Sequence, residues 1–247
     1  GDEIIVIEPA WPAYKDCALN AGIKVRTIKT TLETKWEPSI DQINNAINEN
    51  TKMIVLNYPN NPTGKVIPIK LLNDIIRTAE EHDLYVLSDE IYEYYTNDDW
   101  RPTRIYDKSG RSVTIYGYDK SITIKSFSKS YAMTGYRIGY AIAEPSIIEK
   151  MSKLQALSLT NVSEPIQYVA LQALKADTSK NTEIIKSRLQ ALAKIAKDIG
   201  LEFLEPDGAM YLFAKTKYKN FDATKFSEKM LEHGVAIAPG EGFGDYK

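Results

Sequence analysis

Several common chemical tools are scarce in this sequence. It has one cysteine, Cys17, and two histidines, His82 and His233. A lone thiol excludes an intrachain disulfide and a cysteine zinc cluster, and it fits a cytoplasmic setting. Cys17 is expected to pack inside a helix. Each histidine lies near the end of a helical pattern, where a cation suits the helix dipole, so both read as structural. No apolar run approaches the roughly 20 residues that span a bilayer. The opening Gly1-Asp2-Glu3-Ile4-Ile5-Val6 has the build of neither a signal peptide nor a transit peptide. It reads as direct entry into a strand, and residues 242–247 read as a loop, so the chain is expected to be cut from something longer. Charge of one sign is lacking too. With 31 Lys and Arg against 33 Asp and Glu the formal net charge is -2, which implies no nucleic-acid partner and no membrane surface. Low-complexity segments and internal repeats are absent.

What remains is an ordinary globular composition, 43% hydrophobic and 26% charged, over 247 residues. Short apolar runs alternate with helical patterns, the signature of an α/β fold with a mainly parallel sheet. The pattern predicts strands over 4–7, 25–28, 53–56, 84–87, 122–124 and 136–143. Helices are predicted over 13–21, 40–47 and from Pro68 to about His82. Residues 146–200 read as almost continuous helix, broken near 163–165 and 177–178. Short strands over 201–204, 210–213 and 235–237 then surround a helix at 223–233. This predicts a large unit, 1–185, and part of a small α+β unit, 186–247, with the boundary inside the last long helix.

Chemistry-bearing residues gather at predicted strand ends. Lys129 follows the strand over 122–124 in Ser126-Phe127-Ser128-Lys129. An unprotonated lysine amine attacks aldehydes, and a partly desolvated or cation-flanked site favours that form. Among 31 Lys and Arg, a lysine taken blind is a solvated surface group. Ser126, Ser128 and Arg137 argue otherwise here, because hydroxyls and a guanidinium fork suit a phosphate dianion. A turn or helix cap is the commoner fate of such serines. Asp89 ends the strand over 84–87, where doubly wound sheets bind ligands, and could pair with a protonated ring nitrogen or simply cap the next segment. Tyr92 is one helical turn further and could reach a ring oxygen, though with 16 Tyr in the chain it could equally be core. Asn61 could donate to the same oxygen, or serve only the turn in Asn60-Asn61-Pro62-Thr63-Gly64. Trp11, after the first strand, offers a flat apolar face or an ordinary core aromatic.

Together these residues resemble the fold-type I pyridoxal-phosphate-dependent aminotransferases, in particular the aspartate and aromatic group. The motifs occur in the family's order: Pro9-Ala10-Trp11; Tyr58-Pro59-Asn60-Asn61-Pro62-Thr63-Gly64; Ser88-Asp89-Glu90-Ile91-Tyr92; and Ser126-Phe127-Ser128-Lys129 with Gly135-Tyr136-Arg137-Ile138-Gly139. Asp207-Gly208-Ala209-Met210-Tyr211 and Pro239-Gly240-Glu241-Gly242-Phe243-Gly244 are similar to the family's small-domain strand and late glycine-rich loop. The resemblance implies the aspartate aminotransferase-like fold and pyridoxal 5'-phosphate as cofactor. It implies that Lys129 forms the Schiff base and shuttles the proton, and that Asp89 pairs with the pyridinium. Asn61 and Tyr92 would hold the ring oxygen, Ser126, Ser128 and Arg137 the phosphate, and Trp11 would stack on the ring. The implied substrates are an amino acid, aspartate or aromatic, and a 2-oxo acid such as 2-oxoglutarate, in a cytoplasmic homodimer. The family's opening segment and its arginine for the substrate carboxylate fall outside this chain, which leaves a catalytically incomplete fragment open. A C–S lyase built on the same motifs also stays open. The Ser126-x-x-Lys129 spacing matches serine β-lactamases too, but Ser-Asp-Asn and Lys-Thr-Gly are missing and Asn61, Asp89 and Arg137 would have no role.

Overall fold

The computed structural model describes residues 1–96, 104–106, 112–115, 117–218 and 220–246, with the backbone only of 104–106 and 112–115. The chain begins with β1 (Glu3–Glu8), α1 (Ala13–Asn20), β2 (Lys24–Lys29), α2 (Ile40–Ala46), β3 (Thr51–Asn57), α3 (Ile69–Glu81) and β4 (Tyr85–Asp89). It continues through β5 (Arg104–Tyr106), β6 (Ser112–Ile115), β7 (Ser121–Ser126) and β8 (Gly139–Ile142). Then come α4 (Pro145–Leu159), α5 (Glu164–Ala173), α6 (Ser179–Asp198) and α7 (Ala223–Glu232).

The main sheet has the order β2-β1-β3-β4-β7-β8, parallel except for the antiparallel β7–β8 edge. Strand β1 is buried along its whole length, as a strand covered on both faces must be. Its alternation sorts side chains between two cores. Ile5 and Ile7 join Ile43, Ile54, Leu72, Ile75 and Ala79 in one cluster. Ile4 and Val6 join Ala10, Ala18 and Val55 in the other. Helix α3 presents Leu72, Ile75, Ile76 and Ala79 inward, the i, i+3, i+4, i+7 spacing of a one-sided helix. Helix α2 starts with a capping box in which Ser39 and Gln42 bond each other's backbone N–H.

The order reverses at β1: β2 lies on one side of it and β3 on the other. In open α/β sheets the carboxyl ends beside such a reversal form the ligand crevice. Trp11, Asn61, Asp89 and Lys129 follow the ends of β1, β3, β4 and β7 respectively.

Three expectations are corrected. The strand predicted over 136–143 begins only at Gly139, because Thr134–Tyr136 forms a 3₁₀ turn and Arg137 takes a left-handed conformation with φ 53°. Strands over 201–204, 210–213 and 235–237 do not form. The pairing there is reduced to isolated bridges, Glu202 to Lys215 and Thr96 to Gly208, and Val235 and Ile237 are exposed. Apolar content alone makes no strand without a neighbour to complete its ladder. Cys17 is exposed, since α1 turns Ala18 and Tyr14 toward the sheet. The β5–β6 hairpin has no counterpart in the sequence reading.

Residues 207–209 dock on the segments that follow β3 and β4. The amides of Asp207 and Gly208 donate to the Gly64 carbonyl at 2.9 and 2.8 Å, and the Ala209 amide donates to the Tyr95 carbonyl at 2.7 Å. Lys65 and Asp207 add an ion pair at 2.5 Å. A Cβ on Gly208 would lie 2.3 Å from the Tyr95 carbonyl oxygen, so only glycine permits this approach. Gly208→Ala is expected to cost about 1–3 kcal/mol and to speed hydrogen exchange at the Ala209 amide. Wild-type exchange there, with an unchanged melting temperature, would refute the dock.

Candidate active site

Strand pairing places the first acid. Asn57 ends β3 opposite Asp89 at the end of β4. The Asn57 side-chain amide donates to the Asp89 carbonyl at 3.1 Å, and its oxygen accepts from the Asn61 amide at 2.9 Å. One side chain therefore fixes both the acid's backbone and the start of the turn. Asn60 completes that turn by accepting from the Thr63 amide and hydroxyl at 3.0 and 2.8 Å. It also donates to the Pro9 carbonyl at 3.4 Å, tying the turn to the end of β1.

Asp89 is buried. Its Oδ2 accepts from the Tyr14 hydroxyl at 2.5 Å, and its Oδ1 accepts from the Ile91 amide at 3.1 Å. Burial pushes the Asp89 carboxyl above its ordinary pKa, and the Tyr14 and Ile91 donors pull it partly back. Burial and the adjacent carboxylate push the Tyr14 phenol up. Trp11, next to this pair, leaves about half of its surface open, 47%. It meets the Tyr14 ring edge to face at 5.5 Å between centroids.

Tyr92 is also buried. Its hydroxyl shares a 2.5 Å hydrogen bond with the Tyr211 hydroxyl, and the rings meet edge to face. Burial first, and then the Tyr211 bond, push the Tyr92 phenol up. The Lys129 ammonium lies 6.0 Å from the centre of the Tyr92 ring. Lys129 is itself held by its backbone, whose carbonyl accepts from the Tyr95 hydroxyl at 2.6 Å and from the Ala132 amide at 2.9 Å. Just before it, the Ser128 amide donates to the Ser126 hydroxyl oxygen at 3.0 Å, which leaves the Ser126 proton free to donate outward.

The structure thus joins Tyr92 to Lys129, Ser126 to Ser128, and Asn61 to Asp89 through Asn57. Arg137 stands apart. It is exposed, and its guanidinium donates to the Thr134 carbonyl at 2.9 Å rather than to either serine. Sequence reasoning missed Tyr14, Asn57 and Tyr211. Tyr14 could have been found by its spacing, one helical turn beyond Trp11; Tyr211 lies too far away in sequence to leave any local signal.

A buried polar atom without a partner marks the place for a guest. Among the described residues, Asn61 Oδ1 and Ser130 Oγ are buried side-chain atoms lacking a hydrogen bond. With a buried carboxylate, phenols, a lysine amine and free hydroxyl donors around it, the Asn61 amide suits a flat heteroaromatic aldehyde bearing a phosphate.

Comparison with known proteins agrees. A family model described as Aminotransferase class I and II matches residues 1–245. The aspartate aminotransferase of Thermotoga maritima is 35% identical over 246 residues, covering 98% of this chain and 62% of the relative. The aspartate/prephenate aminotransferase of Thermus thermophilus is 33% identical, covering 100% and 63%. Among solved structures, the Thermotoga maritima enzyme superposes with a TM-score of 0.88 at 34% identity, over 98% of this chain and 62% of that one. The aromatic aminotransferase of Pyrococcus horikoshii OT3 gives 0.87 at 34% identity, over 99% and 66%. The chain therefore spans about 62% of the length of the curated relatives it matches.

The raised Asp89 carboxyl makes a prediction for the chain without cofactor. The folded form keeps this proton at pH values where an unfolded aspartate, with a pKa of about 3.9, has lost it. The associated stability is complete below that value and fades as pH rises through the higher folded value. Asp89→Asn is expected to raise the melting temperature at neutral pH and to flatten its decline from mildly acidic pH. Melting curves that shift equally at every pH would contradict this.

Proposed function

The chain belongs to the class I and II aminotransferases, and on that premise we propose that it binds pyridoxal 5'-phosphate through Lys129 and transfers an amino group from an amino acid to a 2-oxo acid. Aspartate or an aromatic amino acid with 2-oxoglutarate is the substrate pairing we favour, in keeping with the names of the relatives. The observation that carries the reading is the strand-end rim that sets Lys129 near the Tyr92 ring and links the buried Asp89 through Asn57 to Asn61.

Bound there, the cofactor supplies an electron sink beside the substrate's amino nitrogen. The protein's own groups do the rest. Lys129 Nζ provides the covalent anchor and, when released, moves the proton at the substrate α-carbon. Asp89 holds a ring N–H cation, and its burial strengthens that pairing. Tyr14 keeps the carboxylate oriented while Oδ1 and Oδ2 retain lone pairs for the cation. Tyr92 can accept from Tyr211 and still donate its own proton, so Tyr92 and Asn61 both serve a ring oxygen. Ser126, Ser128 and the unused N–H groups of Arg137 bind the phosphate. The open face of Trp11 covers the ring.

The reading extends to organisation. Residues 1–185 form the cofactor-binding unit and 186–247 part of a smaller one, with α6 running unbroken through the junction. A homodimer in the cytoplasm is the working form. Exposed Leu154, Leu157, Leu159, Tyr168 and Leu171 on α4 and α5 supply the apolar face such an assembly needs.

The test is covalent. Incubation with pyridoxal phosphate, borohydride reduction and peptide mass analysis is expected to place the phosphopyridoxyl group on Lys129, and Lys129→Ala to abolish it. Labelling spread over other lysines, or none, would overturn the assignment. The same protein is then assayed for conversion of aspartate with 2-oxoglutarate.

A further inference from the structure

A second lysine, unused by the reading above, is buried beneath the site. Lys125 on β7 is 2% exposed at its side chain, and its ammonium bonds Glu90 at 2.5 Å and also Glu93, whose side chains are 1% and 7% exposed. Strand alternation turns Lys125 to the sheet face opposite Ser126, so it is no phosphate ligand.

The two acids sit in the turn that carries the site. Glu90 follows Asp89, and Glu93 follows Tyr92. The backbone reinforces the same junction: the Glu90 amide donates to the Ile124 carbonyl at 3.0 Å, and the Glu93 amide donates to the Glu90 carbonyl at 3.0 Å. Ser88 donates to Glu90 Oε1 at 3.2 Å. On the far side of the turn, Tyr95 bonds the Lys129 carbonyl. A buried ionic cluster is a poor stability device, because well-packed neutral groups often serve as well; its best-attested use is to fix geometry.

We propose that Lys125 is a positioning residue, forming with Glu90 and Glu93 a buried ionic clamp that holds the turn bearing Asp89 and Tyr92 in register with the strand that presents Lys129. The inference rests on the reading that those three residues serve one cofactor site. The Lys125 ion pairs join β7 to the turn, so their loss loosens that junction and leaves the β1–β3 core intact.

The experiment compares Lys125→Met, which removes the cation shared by two buried carboxylates, with the triple variant Glu90→Gln, Lys125→Met, Glu93→Gln, which has similar volume and removes all three charges. Melting temperature, dissociation constant for pyridoxal phosphate, and hydrogen exchange of amides 90–93 are measured on each. Lys125→Met is expected to melt lower, to bind cofactor about tenfold more weakly, the size of one lost charged hydrogen bond, and to exchange faster at 90–93 than in β1 and β3. In the triple variant the melting temperature is expected to recover, while cofactor affinity stays weakened and exchange at 90–93 stays fast. Affinity and exchange that recover together with stability would overturn the clamp, leaving a merely structural cluster. If wild-type chain binds no cofactor, the proposed function fails on its own. Exchange at 90–93 then decides the clamp alone: slow in the triple variant refutes it, fast supports it.

Discussion

Everything at the candidate site depends on the parallel register that sets Asn57 of β3 opposite Asp89 of β4. In a parallel pair the hydrogen bonds slant, and the last carbonyl of a strand needs a donor from beyond the ladder. At Asp89 that need is met twice, by the Asn57 side chain and by the Tyr58 amide. The same Asn57 oxygen then orients Asn61. A slip of one residue would turn Asp89 to the other face of the sheet and would break both bonds. The alternation of Ile54 and Leu56 against Val55 on β3, and of Val86 against Leu87 on β4, between the two apolar clusters opposes such a slip, so the apolar cores guard the polar geometry.

The cost of that geometry is desolvation. Asp89 is a buried carboxylate that accepts from a phenol and an amide among the described residues, neither of them a cation. Such a group holds its proton above the ordinary range and gains from any cation brought within reach. The Tyr92–Tyr211 pair is a milder case of the same arrangement, a buried phenol and a half-buried one sharing one short contact. Strain adds to it: Arg137, a non-glycine residue, is left-handed at φ 53°. The buried carboxylate lies at the rim of the sheet, where a cation placed beside it would offset part of its desolvation.

Much of this was legible in the sequence. The strands that build the sheet and the helices between them follow from apolar periodicity, and the motif order around Asn61, Asp89, Tyr92 and Lys129 pointed to one cofactor chemistry. Tyr14, Asn57 and Tyr211 escaped notice because their value lies in partners 75, 32 and 119 positions away. Lys125 stands only four residues before Lys129, but strand alternation sends it to the face opposite Ser126 and into two carboxylates. The expected strands after residue 200 failed for another reason. Periodicity reports that a segment could pair, but pairing needs a second strand alongside, and the only bridges there are single.

The segment 207–211 shows how a region without regular structure can still complete a site. Its anchorage consists of backbone bonds to Gly64 and Tyr95, a close approach that Gly208 alone allows, and the Lys65–Asp207 pair. Gly64 belongs to the turn that positions Asn61, and Tyr95 bonds the carbonyl of Lys129. The dock is thus made on residues that already position the site, and it delivers Tyr211 to the hydroxyl of Tyr92. Loosening it would withdraw that bond and disturb the neighbours of Asn61 and Lys129 together. Residues 207–211 therefore contribute to the candidate site through their attachment, which explains why a stretch lacking strands is held by so many specific contacts.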